Sequence, residues 1–222
     1  MALLLCFFLA LALIWLVLTP LRFDLLRRGR KHQSQAVKGF CTLVAAGFAA
    51  WGCVRADWGD PYAVWIFAAL ALCALADIVL DYTFVAGGVL FFFGHVLYVA
   101  AFSLRATPAW WSYALFVLIY IALFCCFIRY RAKIPRKLLP GVLMYGAALS
   151  GLLGMAVTVA VCKPSPSAVL GAVGACLFLT SDVTLGYTIL DPRGNRWHKL
   201  CLRQYYAGQM LLALSAHATV LL

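Results

Sequence analysis

The stretch LCALADIVLDYTFVAGGVLFFFGHVLY, residues 72–98, puts Asp77 and His95 inside apolar runs long enough to cross a membrane. An ionisable side chain is expensive in such a run. It marks by default a functional site facing a bundle interior, with a partner elsewhere in the chain. For Asp77 the partner lies 105 residues later: LCALADIVLDY (72–82) is echoed by LFLTSDVTLGY (177–187), with Leu72/Leu177, Asp77/Asp182, Leu80/Leu185 and Tyr82/Tyr187 at matching offsets. Internal repeats of membrane proteins often meet at the functional site.

The rest of the chain agrees with this setting. Of 222 residues, 66% are hydrophobic and 11% charged, and the mean hydropathy is +0.98, more apolar surface than a soluble core of this size can hide. A helix needs about 20 apolar residues to cross the hydrocarbon. Eight such runs occur, near 2–21, 35–54, 61–80, 84–104, 109–128, 139–161, 167–190 and 200–221. They are continuously apolar instead of alternating, which excludes membrane strands. The expected fold is all-α and integral to the membrane, a single transmembrane domain over 1–222 built as an eight-helix bundle, and the echo admits two four-helix repeats as its plan.

A formal charge of +11 invites a nucleic-acid reading, but the charge is distributed by topology. Arg22, Arg27, Arg28, Arg30, Lys31 and Lys38 flank the first gap, Arg129, Arg131, Lys133, Arg136 and Lys137 the fifth, and Arg193, Arg196, Lys199 and Arg203 the seventh. These are 15 of the 18 basic residues, leaving Arg55, Arg105 and Lys163 for the other side. The positive-inside rule places the basic loops in the cytoplasm and both termini outside. In a bacterium that membrane would be the inner membrane, in an animal cell the endoplasmic reticulum. The basic loops set topology and attract anionic lipid, and no nucleic-acid partner is implied. The first 20 residues lack a basic leading segment and an obvious small-residue cleavage site, so the first helix is read as retained. The nine cysteines include no CxxC pair and read as packing residues, which supports neither a disulfide framework nor a zinc site.

Along the chain, the first helix is expected to end at Pro20 and to run into a polar loop, RFDLLRRGRKHQSQ. The second begins near Lys38, which sits at the inner headgroup level, snorkelling or touching a lipid phosphate. Asp60-Pro61 reads as a turn before the third helix. Asp77 then lies about 16 residues, or about 24 Å, from the outer end of its helix, and Asp182 about 15 residues into its own, so the two carboxylates share a depth. Asp81, opposite Gly186 in the echo, is expected at the rim. His95 and Tyr98 fall on a similar face of the fourth helix. Trp110 and Trp111 form an interfacial belt. Tyr145 has small neighbours that let it point inward, and Tyr205, Tyr206 and Gln209 occupy the first turns of the last helix. Interhelical hydrogen bonds account for those last three as well as a site does.

Taken together, VK at 37–38, AD…L at 76–80, FGHVLYVAAF at 93–102, GACLFLTSDVTL at 174–185 and YYAGQMLLALSA at 205–216 resemble the YhhN-like lysoplasmalogenase family of eight-helix membrane enzymes. The resemblance implies hydrolysis of the vinyl ether bond of lysoplasmalogens, with Asp77 and Asp182 matching the family's essential aspartates. Such a bond breaks by protonation of its β-carbon to an oxocarbenium ion, addition of water, and collapse of the hemiacetal to a fatty aldehyde and the glycerophospho headgroup. Two carboxylates in low dielectric would share a proton for this purpose, one neutral and donating, one charged and stabilising the cation. His95, Tyr98, Tyr205, Tyr206 and Gln209 would orient water or the pair, and Lys38 or Arg203 would hold the substrate phosphate. The lysophospholipid and the surrounding lipids are the partners; no cofactor and no metal is called for. The alternatives are a proton-coupled membrane transporter using its buried Asp and His, an Asp/Asp/His metal site, and an intramembrane aspartyl protease, whose GxGD signature is missing because Asp77 follows Leu75-Ala76.

Overall fold

The computed structural model describes residues 2–191 and 195–217. Among them every regular element is helical. The helices are α1 (Ala2–Arg27), α2 (Lys31–Arg55), α3 (Pro61–Leu80), α4 (Phe84–Ser103), α5 (Trp110–Phe127), α6 (Leu139–Cys162), α7 (Pro166–Leu190) and α8 (Asn195–Ser215), and a 3₁₀ turn, Ile128–Lys133, follows α5. The first seven are long and apolar enough to cross a membrane, and side chains such as Leu5, Phe8, Leu16 and Trp110 present an apolar outer surface. The protein is a multi-pass membrane protein.

The start of the chain departs from expectation. Pro20 does not end α1. A π-helical turn, Ile14–Leu18, widens the helix just before it, the α-helix resumes at Thr19, and the Thr19 hydroxyl donates to the Ile14 carbonyl at 2.8 Å. A proline at the start of a resumed helix has no N–H to satisfy and a φ already suited to it. The polar segment expected as a loop is therefore helical on both sides of a short turn at Arg28–Arg30, where Gly29 takes φ +72°. Burial of Arg22, Phe23 and Leu25 stabilises the extension. α8 also begins earlier than expected, at Asn195 instead of 200. The residues beyond 217, and Arg193 of the expected basic loop, lie outside the described residues.

Capping sets other boundaries, one of them at the turn expected at Asp60-Pro61. Asp60 accepts from the Tyr62 N–H at 3.0 Å with Pro61 in the first turn of α3, and Ser165 accepts from the Ala168 N–H at 3.1 Å ahead of α7.

Packing follows a repeat. α1 packs on α2, α2 on α3 and α3 on α4; α5 packs on α6, α6 on α7 and α7 on α8. Two crossing contacts, α4 with α6 and α8 with α2, interchange when each helix is matched to the one four places on. An even number of helices per half gives both halves the same direction through the membrane, so Asp77 of α3 and Asp182 of α7 are equivalent in position.

α8 is the central helix although it is the most polar. Its run from Tyr205 to Met210 is buried, because α7, α2, α3 and α1 surround it. Gly174 and Gly208 make the α7–α8 crossing close: a Cβ on Gly208 would stand 2.9 Å from the Gly174 carbonyl oxygen, and one on Gly174 would stand 3.0 Å from that of Gly208. At the end away from the basic loops, Arg105 ties the bundle. It donates to Ser167 Oγ at 2.8 Å, approaches Asp60 at 3.5 Å and lies 3.5 Å from the centre of the Tyr62 ring, and Ser215 joins Tyr62 (2.7 Å) to Ser167 (2.5 Å). The opposite, basic end holds the polar cluster described next.

Candidate active site

Asp77 lies three residues before the end of α3 at Leu80, and Asp182 eight before the end of α7 at Leu190, so both stand in the half nearer the basic loops. Their surroundings differ. Asp77 is saturated: Thr42 donates to Oδ2 at 2.5 Å, Tyr205 donates to the same oxygen at 2.8 Å, and Lys38 Nζ stands 3.2 Å from Oδ1. Its side chain is 1% exposed. Lys38 also donates to the Asp77 backbone carbonyl at 3.4 Å and pairs with Asp81 at 3.7 Å. Lys38 therefore does not snorkel; it is buried as the counterion of Asp77, one turn from Thr42 on the same face of α2. Gly39 lets α3 come this close, since a Cβ there would fall 2.7 Å from Ile78 Cγ1.

Asp182 is the more open carboxylate, 12% exposed. Tyr145 donates to its Oδ2 at 2.5 Å, and Ser181 reaches Oδ1 at only 3.4 Å. Among the described residues no Lys or Arg pairs with it. Its ionisable neighbour is His95, whose Nε2 stands 3.9 Å from Oδ2. The other ring nitrogen, Nδ1, lies 2.5 Å from the Phe91 carbonyl. A carbonyl only accepts, so Nδ1 carries the proton and Nε2 faces Asp182 with no hydrogen-bond partner among the described residues. A gap of 3.9 Å between Nε2 and Oδ2 suits one oxygen atom set to the side, at about 2.8 Å from each.

Asp77 and Asp182 share no hydrogen bond, which corrects the expectation of a directly coupled pair. The Phe178 ring, one turn before Asp182 on α7, packs at 5.3 Å on the Tyr205 ring and at 4.8 Å on the His95 ring, and so lies between the partners of the two carboxylates. Their charges are still within electrostatic reach of each other.

One turn further from the basic end, Tyr98 donates to Gln209 Oε1 at 2.7 Å beside the Cys73 thiol, and among the described residues Gln209 Nε2 has no partner but that thiol. Both side chains are fully buried and floor the cluster. Tyr206 is buried, and among the described residues its hydroxyl has only the Cys41 thiol beside it. Arg203 stands apart, exposed on α8. Among the described residues no three His, Cys, Asp or Glu side chains converge as metal ligands. Thr42 and Arg22 were not legible as members of this cluster. Thr42 carried one usable signal, its i+4 spacing from Lys38.

A model of the YhhN family matches residues 33–216, from the first turn of α2 to the end of α8, and covers the residues of this cluster except Arg22. No curated protein and no solved structure matches it. By this match over most of its length, the chain belongs to the YhhN family.

Proposed function

We propose that the protein is a lysoplasmalogenase, an alkenyl ether hydrolase that cleaves the sn-1 vinyl ether of lysoplasmenyl-ethanolamine or -choline, and that Asp182 is its acid. Family membership supports the substrate class. The observation that carries the mechanism is the asymmetry of the carboxylates: Asp77 is held by one cation and two hydroxyl donors, whereas Asp182 has an exposed edge and an unpartnered imidazole nitrogen beside it.

Lys38, Thr42 and Tyr205 hold Asp77 as the carboxylate anion, whose field stabilises a cation formed nearby. Asp182 gives its proton to the β-carbon of the vinyl ether, and the π electrons of that bond form the new C–H bond and leave an oxocarbenium ion. A water between Asp182 Oδ2 and His95 Nε2 then attacks C1, and Asp182 takes back a proton. The hemiacetal loses the glycerol oxygen as a hydroxyl and leaves the aldehyde. Tyr145 orients Asp182 throughout, and Phe178, Tyr98 and Gln209 shape the floor. No step uses a nucleophilic side chain, in keeping with a chain that has no GxSxG elbow.

Purified protein in detergent should release fatty aldehyde from the alkenyl lysolipid and leave the acyl and saturated-ether analogues intact. Turnover without a sealed membrane separates hydrolysis from transport. In D₂O, with the aldehyde trapped before it can enolise, one deuterium should appear on the carbon next to the aldehyde. Aldehyde without that deuterium, or fatty acid from the acyl analogue at a similar rate, overturns the reading. The same reading places the basic loops in the cytoplasm and the termini on the other side.

A further inference from the structure

Arg22 is the charge that the mechanism leaves unused. It lies in the stretch of α1 beyond Pro20 and is 5% exposed, although Arg is almost never buried unless paired. Only one of its nitrogens is engaged, Nη2 at 3.6 Å from Asp81 Oδ2; Nε and Nη1 are buried with no partner among the described residues. A buried guanidinium with unmet donors is costly, and these two N–H groups point in different directions, so each suits one oxygen of an anion.

The surroundings have the same character. Among the described residues Ser34 Oγ, one turn before Lys38 on α2, is also buried and unpartnered, and the buried Tyr206 hydroxyl on α8 has only the Cys41 thiol beside it; the stretch carrying Arg22 packs on α2 and, through Phe23 and His198, on α8. The charged and titratable groups about Arg22 include Asp81, Lys38, His198, Tyr206, Cys41 and Cys201, with Lys199 on the Phe23 ring next to it. From Arg22 the chain of contacts runs through Asp81 and Lys38 to Asp77. The unmet donors thus stand three ion pairs from the Asp77 carboxylate.

Resting on the vinyl-ether reading above, we propose that Arg22, with Ser34 and Tyr206, is the receptor for the substrate's phosphate and holds a lysolipid headgroup at the corner of α1, α2 and α8. Lys38 and Arg203 do not take that part, since Lys38 is committed to the two aspartates and Arg203 faces outward. Arg22 is a binding residue that sets affinity for the phosphorylated substrate and leaves the chemical step alone.

The test has a binding arm and a kinetic arm. In a non-ionic detergent, a saturated-ether lysophosphatidylcholine that cannot be hydrolysed should raise the Tm of the wild-type protein, while glycerophosphocholine and inorganic phosphate do so far less. Arg22→Gln should abolish that shift and Arg22→Lys should retain part of it. Protection by inorganic phosphate equal to that by the lysolipid would assign the site to free phosphate and overturn the lipid assignment. In turnover, Arg22→Gln should raise KM for the alkenyl lysophospholipid about tenfold or more with kcat little changed, the effect of one charge-assisted bond, and leave hydrolysis of the phosphate-free alkenylglycerol unaltered. Equal loss on both substrates, or a wild-type Tm shift in Arg22→Gln, reduces Arg22 to a structural partner of Asp81 and sinks the proposal. Where Arg22→Gln fails to fold, Asp81→Asn decides: it frees the guanidinium from its pair and should strengthen the lysolipid-dependent Tm shift, and an unchanged or weaker shift argues against the receptor. If no vinyl ether is cleaved at all, the mechanism fails while the binding arm still stands or falls by itself.

Discussion

Lys38 Nζ stands 3.2 Å from Asp77 Oδ1, on a neighbouring helix and with both groups closed off from the surroundings. In a membrane interior neither charge is sustainable alone, and each explains the other. The pair also separates two roles that the sequence leaves equal, because it compensates Asp77 while Asp182 has no Lys or Arg paired with it among the described residues.

This pairing makes a thermodynamic cycle informative. Lys38→Met should destabilise the protein by about 3–5 kcal/mol, the usual result of leaving a buried charge without its partner. Adding Asp77→Asn to Lys38→Met should recover much of that loss, since the double variant has no orphaned charge. Activity should be absent from both. Thermal unfolding in detergent followed by tryptophan fluorescence reads the first quantity, and aldehyde release the second. A double variant no more stable than Lys38→Met would mean that the pair does not carry the stability assigned to it.

Asp182→Asn should remove activity by orders of magnitude and leave a folded protein, because no Lys or Arg among the described residues depends on its charge. Tyr145→Phe keeps the ring against His95 (5.1 Å between centroids) and deletes only the hydroxyl on Asp182. A fall in kcat of about 10²-fold is expected, in the range of a positioned acid–base group. Wild-type kcat in Tyr145→Phe would release Tyr145 from any part in the reaction.

Two glycines give a matched pair. Gly208→Ala puts a methyl group 2.9 Å from the Gly174 oxygen and 3.0 Å from the Phe178 N, so α7 and α8 must move apart, at about 1–3 kcal/mol, and displace Tyr205 and Gln209. Gly88→Ala meets nothing within 4 Å and should be neutral or slightly stabilising. Similar Tm values for both variants would contradict the close α7–α8 crossing.

Sidedness is tested at loops. A protease site inserted after Gly29, in the turn between α1 and α2, should be cut only from the cytoplasmic side, and one after Pro108, between α4 and α5, only from the other. The reverse pattern would turn the bundle over and place Arg22, Lys38 and Asp81 against the opposite leaflet.

Much of this molecule was readable along the chain. Apolar runs of membrane length gave the helices from 61 to 190 nearly to the residue, because an unbroken apolar segment in lipid has to satisfy its backbone internally. Asp60-Pro61 announced the turn before α3, and the echo around Asp77 and Asp182 announced a repeat that the helix contacts display. The basic segment between Pro20 and Lys38 misled, because its polarity suggested a loop. Its helicity rests on the π turn that absorbs Pro20 and on burial of Arg22 and Phe23, and neither is visible in local composition.

Chain order supplied the residue types and their approximate depth, which are set by hydropathy and helix rise. Which carboxylate holds the lysine, which faces the imidazole, and which arginine is left with open donors were decided only when α2, α3, α4, α7 and α8 came together. Thr42 and Phe178 are ordinary residues in their own helices, and they belong to the site because packing turns them toward Asp77 and His95. Those choices depend on rotation about each helix axis and on crossings as close as Gly174 with Gly208, quantities that contacts distant in sequence determine and that no single helix encodes.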